Sequence, residues 1–175
     1  MCNELNIKIR ACLNDRLLKA EEDLPVKQVG LHTVCSGNVL VSADSIDLAQ
    51  VDQTIVEWAR VNGVNLVTVE YGDPAYTQYA YASVEDVIAV SGEQFDNLNA
   101  PKTVLYFKRI DNIKDKMVRR RLLDFMRTHL VMVGDGRVLA KNILFTIATI
   151  PNDMDIDEKR QLRFDAKDAF LFKIK

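Results

Sequence analysis

Hydrophobic positions recur along this chain with two different periods. Five short stretches are almost continuously apolar: NVLVSA (38–43), VNLVTVEY (64–71), TVLYFKRI (103–110), NILFTIATI (142–150) and AFLFKI (169–174). Continuous apolar character, as opposed to strict alternation, is what strands covered on both faces require. Between the first two, Leu48, Val51, Ile55, Trp58 and Ala59 fall at helical spacing and Asn62-Gly63 supplies a stop, which predicts a helix from about 47 to 62. Val118, Leu122, Phe125 and Met126 predict a second amphipathic helix, with Arg119, Arg120 and Arg127 turned mostly to solvent. Leu5, Ile9, Cys12, Leu13 and Leu17 predict another over 3–22, stopped before Pro25. Gly134-Asp135-Gly136 lies between two short apolar runs and signals a small hairpin near 130–141. The stretch 72–100 is ambiguous: Ser83 before VEDVIAV favours a short helix, whereas the surrounding Gly, Pro and Asn favour loops.

Strands alternating with helices predict an α/β domain with a parallel sheet. No repeat or low-complexity tract divides residues 1–175, so one domain is expected, with 1–29 as an N-terminal helix and linker.

Composition narrows the class. The 175 residues are 48% hydrophobic and 27% charged, enough for a domain that buries roughly 70% of its unfolded surface. Cys2, Cys12 and Cys35 are odd in number and lack metal-site spacing, and neither a signal peptide nor a membrane-length apolar run is present. A soluble cytoplasmic protein without a metal site is expected. A formal net charge of −2 offers no overall attraction to nucleic acid.

The motifs add a sharper expectation. VLYFKRIDNI (104–113) runs into KMVRRRLLDFM (116–126), followed by NILFTIATIPND (142–153) and LRFDAKDAFLFKI (162–174). In this order they resemble the Walker B strand and its following helix, the sensor-1 strand and the R-F-D element of AAA+ ATPases, over roughly residues 30–175. The resemblance implies a three-layer P-loop NTPase-like fold whose five parallel strands run in the order 5-1-4-3-2. It also implies nucleotide at the C-terminal ends of strands 1 and 3.

The residues that would perform the reaction have changed. Lys108 and Arg109 stand where the family carries the acids that hold Mg²⁺ and polarise the attacking water. A Walker A loop reads G-x-x-x-x-G-K-[ST], so that backbone N–H groups wrap phosphate and Lys neutralises it. Here the interval is Ser42-Ala43-Asp44-Ser45-Ile46-Asp47-Leu48-Ala49, with Ser42 and Asp47 for the glycines, Leu48 for the lysine and Ala49 for the hydroxyl residue. Asp47, Asp44 or Ser45 is expected to cap the following helix in place of phosphate. The polarity of the site is inverted, so Asp44 or Asp47 is expected to approach Lys108 or Arg109, the alternative being that both cations reach solvent. No ATP or Mg²⁺ is expected to bind.

The resemblance therefore implies a catalytically inactive AAA+-like domain serving as scaffold, adaptor or non-hydrolysing subunit, with a protein partner or homologous subunit. Two alternatives stay open: an atypical nucleotide-binding or regulatory component that supplies Arg163 to a partner's site, and an unrelated small α/β enzyme. Arg163 matches the family's trans-acting arginine, against which stands a local surface role beside Asp165. Thr149 and Asn152 flank the sensor-1 position, but Ile150 occupies the register of the polar residue, so neither is assigned a catalytic role. Arg119-Arg120-Arg121 could meet phosphates of a nucleic acid or an acidic partner, or form a solvated helix face. Tyr71, Tyr76, Tyr79 and Tyr81 are the aromatic concentration and the candidate protein contact, with ordinary packing as the alternative. His32 and His129 pair with no nucleophile in the local sequence. The sequence stops at Phe172-Lys173-Ile174-Lys175, so the family's helical lid is expected to be absent from it, by nature or by truncation.

Overall fold

The computed structural model describes residues 2–22, 26–29, 32–35, 37–70, 101–113, 116–128, 130–133, 136–139, 143–166, 169–170 and 172–175. Helix α1 (Cys2–Glu22) is followed by strands β1 (Val26–Val29) and β2 (His32–Cys35), then β3 (Val39–Ala43), α2 (Leu48–Val61) and β4 (Asn65–Glu70). After β5 (Thr103–Lys108) come α3 (Lys116–Thr128), β6 (Leu130–Val133), β7 (Gly136–Leu139), β8 (Ile143–Pro151), α4 (Ile156–Asp165) and β9 (Phe172–Ile174).

Five strands form one all-parallel sheet in the order β4-β5-β8-β3-β9. Counted along the chain as strands 1 to 5, this is the expected order 5-1-4-3-2. The apolar runs are legible as strands because both faces are covered. Val39, Val41, Val104, Tyr106 and Ile147 pack with Ile9, Leu13, Ile55 and Trp58 of α1 and α2. On the other face Leu40, Leu105, Phe107 and Ile150 pack with Leu122, Met126 and Leu162 of α3 and α4. Alternation of neighbours such as Leu40 and Val41 between the two clusters is the period-2 geometry of a strand buried twice.

Individual side chains tie these layers. Trp58 Nε1 donates to Asn14 Oδ1 at 2.9 Å, joining α2 to α1, and its ring lies 6.1 Å from that of Phe145. The buried Asn38 amide donates to the carbonyls of Met126 at 2.6 Å and Ala169 at 3.1 Å, and its Oδ1 accepts from Thr146 N at 3.0 Å. One side chain thus joins the end of α3, the approach to β9 and the neighbouring strand. Asn62 and Gly63 end α2 as expected: Gly63 has φ 64°, and Asn62 Nδ2 donates to Trp58 O at 2.8 Å.

Several boundaries and elements differ from the pattern reading. The third strand ends at Lys108, because Arg109 is left-handed (φ 55°, ψ 58°) and a 3-10 turn, Ile110–Asn112, follows. The last strand is confined to Phe172–Ile174, since Ala166 and Ala169 still close a turn after α4. β1 and β2 pair antiparallel within and beyond the stretch expected to be a linker, and α4 is a further helix that carries the R-F-D residues at its C-terminal end. The hairpin near 130–141 is present as antiparallel β6 and β7. The ambiguous stretch 72–100 lies outside the described residues.

Candidate functional site

The C-terminal ends of β3 and β5 bring the sequence-selected residues together with others the sequence did not single out. Ser42 is buried near the end of β3, Asp44 and Ser45 are exposed, Leu48 joins the core and Ala49 is exposed at the start of α2. A 3-10 turn, Ser45–Asp47, leads into α2. Its first bond is from Asp47 N to Asp44 O at 2.8 Å, and neither Asp44 nor Asp47 makes a side-chain cap. At Asp47 the reason is geometric: its backbone is already helical (φ −93°, ψ −12°), whereas a capping residue needs extended backbone to fold its carboxylate onto the next turn. Asp44 has that extended backbone (φ −62°, ψ 145°), but its Oδ1 accepts from Asn152 Nδ2.

The loop after β3 is instead tied to the loop after β8. Asn152 N donates to Ala43 O at 2.8 Å and its Nδ2 to Asp44 Oδ1 at 3.3 Å, while Ser45 Oγ donates to Asp153 Oδ1 at 2.7 Å. The Ser45 hydroxyl, a backbone N–H and the charge of Arg109 hold the Asp153 carboxyl below its ordinary range.

Lys108 and Arg109 meet carboxylates. Lys108 Nζ lies 3.3 Å from Asp52 Oδ2, and Tyr106 Oη donates to the other oxygen of Asp52. The acid that meets Lys108 lies one turn into α2. Helical geometry explains its place: Asp52 follows buried Val51 and stands over the β5 face that carries Tyr106 and Lys108. Arg109 forms a two-pronged pair with buried Asp111, Nε to Oδ1 at 3.0 Å and a terminal nitrogen to Oδ2 at 2.8 Å. Its backbone N–H donates to buried Thr149 Oγ1 at 3.1 Å. The left-handed turn at Arg109, which costs a non-glycine residue roughly 1 kcal/mol, is held from both its side chain and its amide.

The other expectations separate. Arg119 is turned inward, against the expectation of solvent, because Nε and a terminal nitrogen reach Asp165 Oδ2 at 3.2 and 2.8 Å. Arg127 donates to Asp165 O at 2.7 Å, whereas Arg120 and Arg121 are exposed. The run of three arginines is thus split between a structural ion pair and a solvated face. Arg163 is exposed on α4, and the acid beside it in sequence, Asp165, is engaged by Arg119. The actual cap of α4 is Asp155, which accepts from Asp157 N and Glu158 N at 3.1 and 3.2 Å. Asp155 with Glu158 three residues later is a readable capping signal. Asp52, Asp111 and Asp153 carry no such local signal. Tyr71, Tyr76, Tyr79, Tyr81 and His129 lie outside the described residues.

Among the described residues, concavities flank this region on two sides. One, of about 790 Å³, lies between α1 and α2 with a mixed lining that includes Asn6, Arg10, Asp52 and Glu57. The second, of about 320 Å³, lies beneath α4 at the ends of β3, β8 and β9. Among the described residues no cluster of His, Cys, Asp and Glu is arranged to hold a metal, and no helix is long and apolar enough to cross a membrane. No protein-family profile matches the chain, and no curated protein matches its sequence.

Proposed function

We propose that this chain is a catalytically inactive AAA+-like domain, lacking working Walker A and Walker B residues, that serves as a scaffold, adaptor or non-hydrolysing subunit in a protein assembly. The observation that carries the reading is the self-contained network at the ends of β3 and β5. Where a phosphate-binding loop would face acids, the loop after β3 bonds the loop after β8 through Asp44, Ser45, Asn152 and Asp153, and the β5 cations pair with Asp52 and Asp111. Side chains satisfy one another where a nucleotide would need open N–H groups, a lysine and a metal-binding acid. The parallel sheet order and the sequence motifs support the fold assignment, while fold by itself does not choose a function.

Calorimetry and thermal unfolding with ATP or ADP and Mg²⁺ test this reading. A native-state ligand raises stability by RT ln(1 + [L]/Kd), so millimolar nucleotide is expected to leave the midpoint unchanged. Saturable, Mg²⁺-dependent binding would overturn it. A second reading, in which Arg163 completes a partner's nucleotide site, is favoured by its exposure on α4. It requires Arg163→Ala to slow the partner's turnover while leaving complex formation intact.

A further inference from the structure

The cavity beneath α4 differs in kind from the concavity between α1 and α2. Its described lining includes four cations, Lys159, Arg163, Lys173 and Lys175, and no acidic side chain. This is unexpected in a chain with 23 basic and 25 acidic residues, and the larger concavity between α1 and α2 has the mixed lining that such a composition predicts. The cations arrive from two separate elements: α4 supplies Lys159 and Arg163 one turn apart, and β9 and the residue after it supply Lys173 and Lys175 on one side of the strand.

Their pairing state contrasts with that of the cations held in ion pairs elsewhere in the fold, and matches that of exposed Arg120 and Arg121. Arg16, Arg60, Lys108, Arg109, Arg119 and Arg127 each lie against a carboxylate. Arg163, Lys173 and Lys175 have no ion-pair partner among the described residues, and Lys159 donates only to a carbonyl, Asn152 O, at 3.3 Å. Like charges gathered around one cavity repel each other, and a bound anion relieves that repulsion. Ser42 adds a neutral polar group: it is 95% buried, lines the same cavity, and its hydroxyl has no hydrogen-bond partner among the described residues. Beneath the cations the floor is apolar, formed by buried Leu40, Ile150, Leu162 and Phe170. A volume of about 320 Å³ is at the small end of the range for small-molecule sites.

We propose that this cavity binds a small organic anion, with a phosphate or carboxylate head held by the cations and a compact apolar body against the floor. The inference goes beyond the scaffold reading and does not rest on it, since none of the four cations belongs to the network around Asp52 and Asp111. It gives the fold a ligand-responsive element: an anion bridging α4 and β9 would fasten the β9 edge of the sheet to its covering helix.

The test uses the full chain with 1-naphthyl phosphate, 1-naphthol and inorganic phosphate as probes, followed by calorimetry. Naphthyl phosphate is expected to bind saturably at one site, at least about tenfold more tightly than either naphthol or phosphate, because both the charge-assisted bonds and the apolar floor are used. Its affinity should fall with added salt. Lys173→Glu with Lys175→Glu should weaken it at least about tenfold, whereas Lys8→Glu with Lys19→Glu, an equal change of charge on α1, should leave it unchanged. Circular dichroism establishes that each variant is folded, and the comparison of the three probes on the unaltered chain needs no variant. Absence of saturable binding, equal affinity for naphthol or for phosphate alone, or equal weakening by the α1 substitutions would each overturn the proposal.

Discussion

At the scale of single residues, polar side chains tie separate elements together. Asn38 satisfies two buried carbonyls and one N–H across three elements, so an apolar replacement of similar size leaves all three without a partner. Asn38→Leu is expected to lower stability by about 2–4 kcal/mol, read from the urea midpoint at unchanged slope. Ser45 and Asp153 offer a test of the loop-to-loop network. The Asp153 carboxyl is held low chiefly by the Ser45 hydroxyl, so its contribution to stability is present above the ordinary carboxylate value and is lost as pH falls through the depressed folded value. Ser45→Ala should move the Asp153 titration upward in carboxyl-detected NMR. It should also flatten the part of the acid-unfolding profile below about pH 4 that this carboxylate controls. An unmoved titration would mean that the 2.7 Å bond does not persist in solution.

At the scale of elements, helices are placed by buried stripes, and α2 and α4 are bounded by local devices. Helix α4 shows the division of labour: Leu162 anchors it, Asp155 starts it, and its outer surface leaves Ile156 and Phe164 exposed. With so little of the helix buried, its N-terminal cap carries weight. Asp155→Ala should destabilise the protein by roughly 1 kcal/mol and raise hydrogen exchange first in residues 156–159, the turn whose N–H groups it serves. If exchange rose equally throughout the chain, the cap would matter to global stability without controlling local fraying.

At the scale of the whole molecule, one sheet separates two hydrophobic clusters, and every central strand contributes to both. The two faces therefore cannot melt independently without exposing half of each shared strand. Ile55→Ala on the α2 face and Leu122→Ala on the α3 face should each cost about 2–5 kcal/mol, and both should shift a single transition followed by tryptophan fluorescence and far-ultraviolet circular dichroism alike. Trp58 lies on one face only. A fluorescence transition that ignored Leu122→Ala would reveal two separately stable layers.

The identity of the sheet strands and of α1, α2 and α3 was determined by the sequence, because burial on two faces demands apolar residues at successive positions and burial of one stripe demands helical spacing; α4, with Leu162 as its buried residue, lacks such a stripe. Those demands are local and survive in the chain as runs such as residues 38–43 and 142–150. The β1 and β2 strands were not legible, since four residues each give too short a pattern to separate a strand from a linker. The residues at 42–49 and 108–109 stand out in the sequence, but their partners do not: Asp52 reaches Lys108 across 56 positions, and Asp44 meets Asn152 across 108. Only the tertiary structure decided which carboxylate lies against which cation, and which four cations converge around Ser42 without one. Charge pairing depends on distance in space, and a sequence fixes that distance only through the packing of helices on a sheet whose strand order is not the order of the chain.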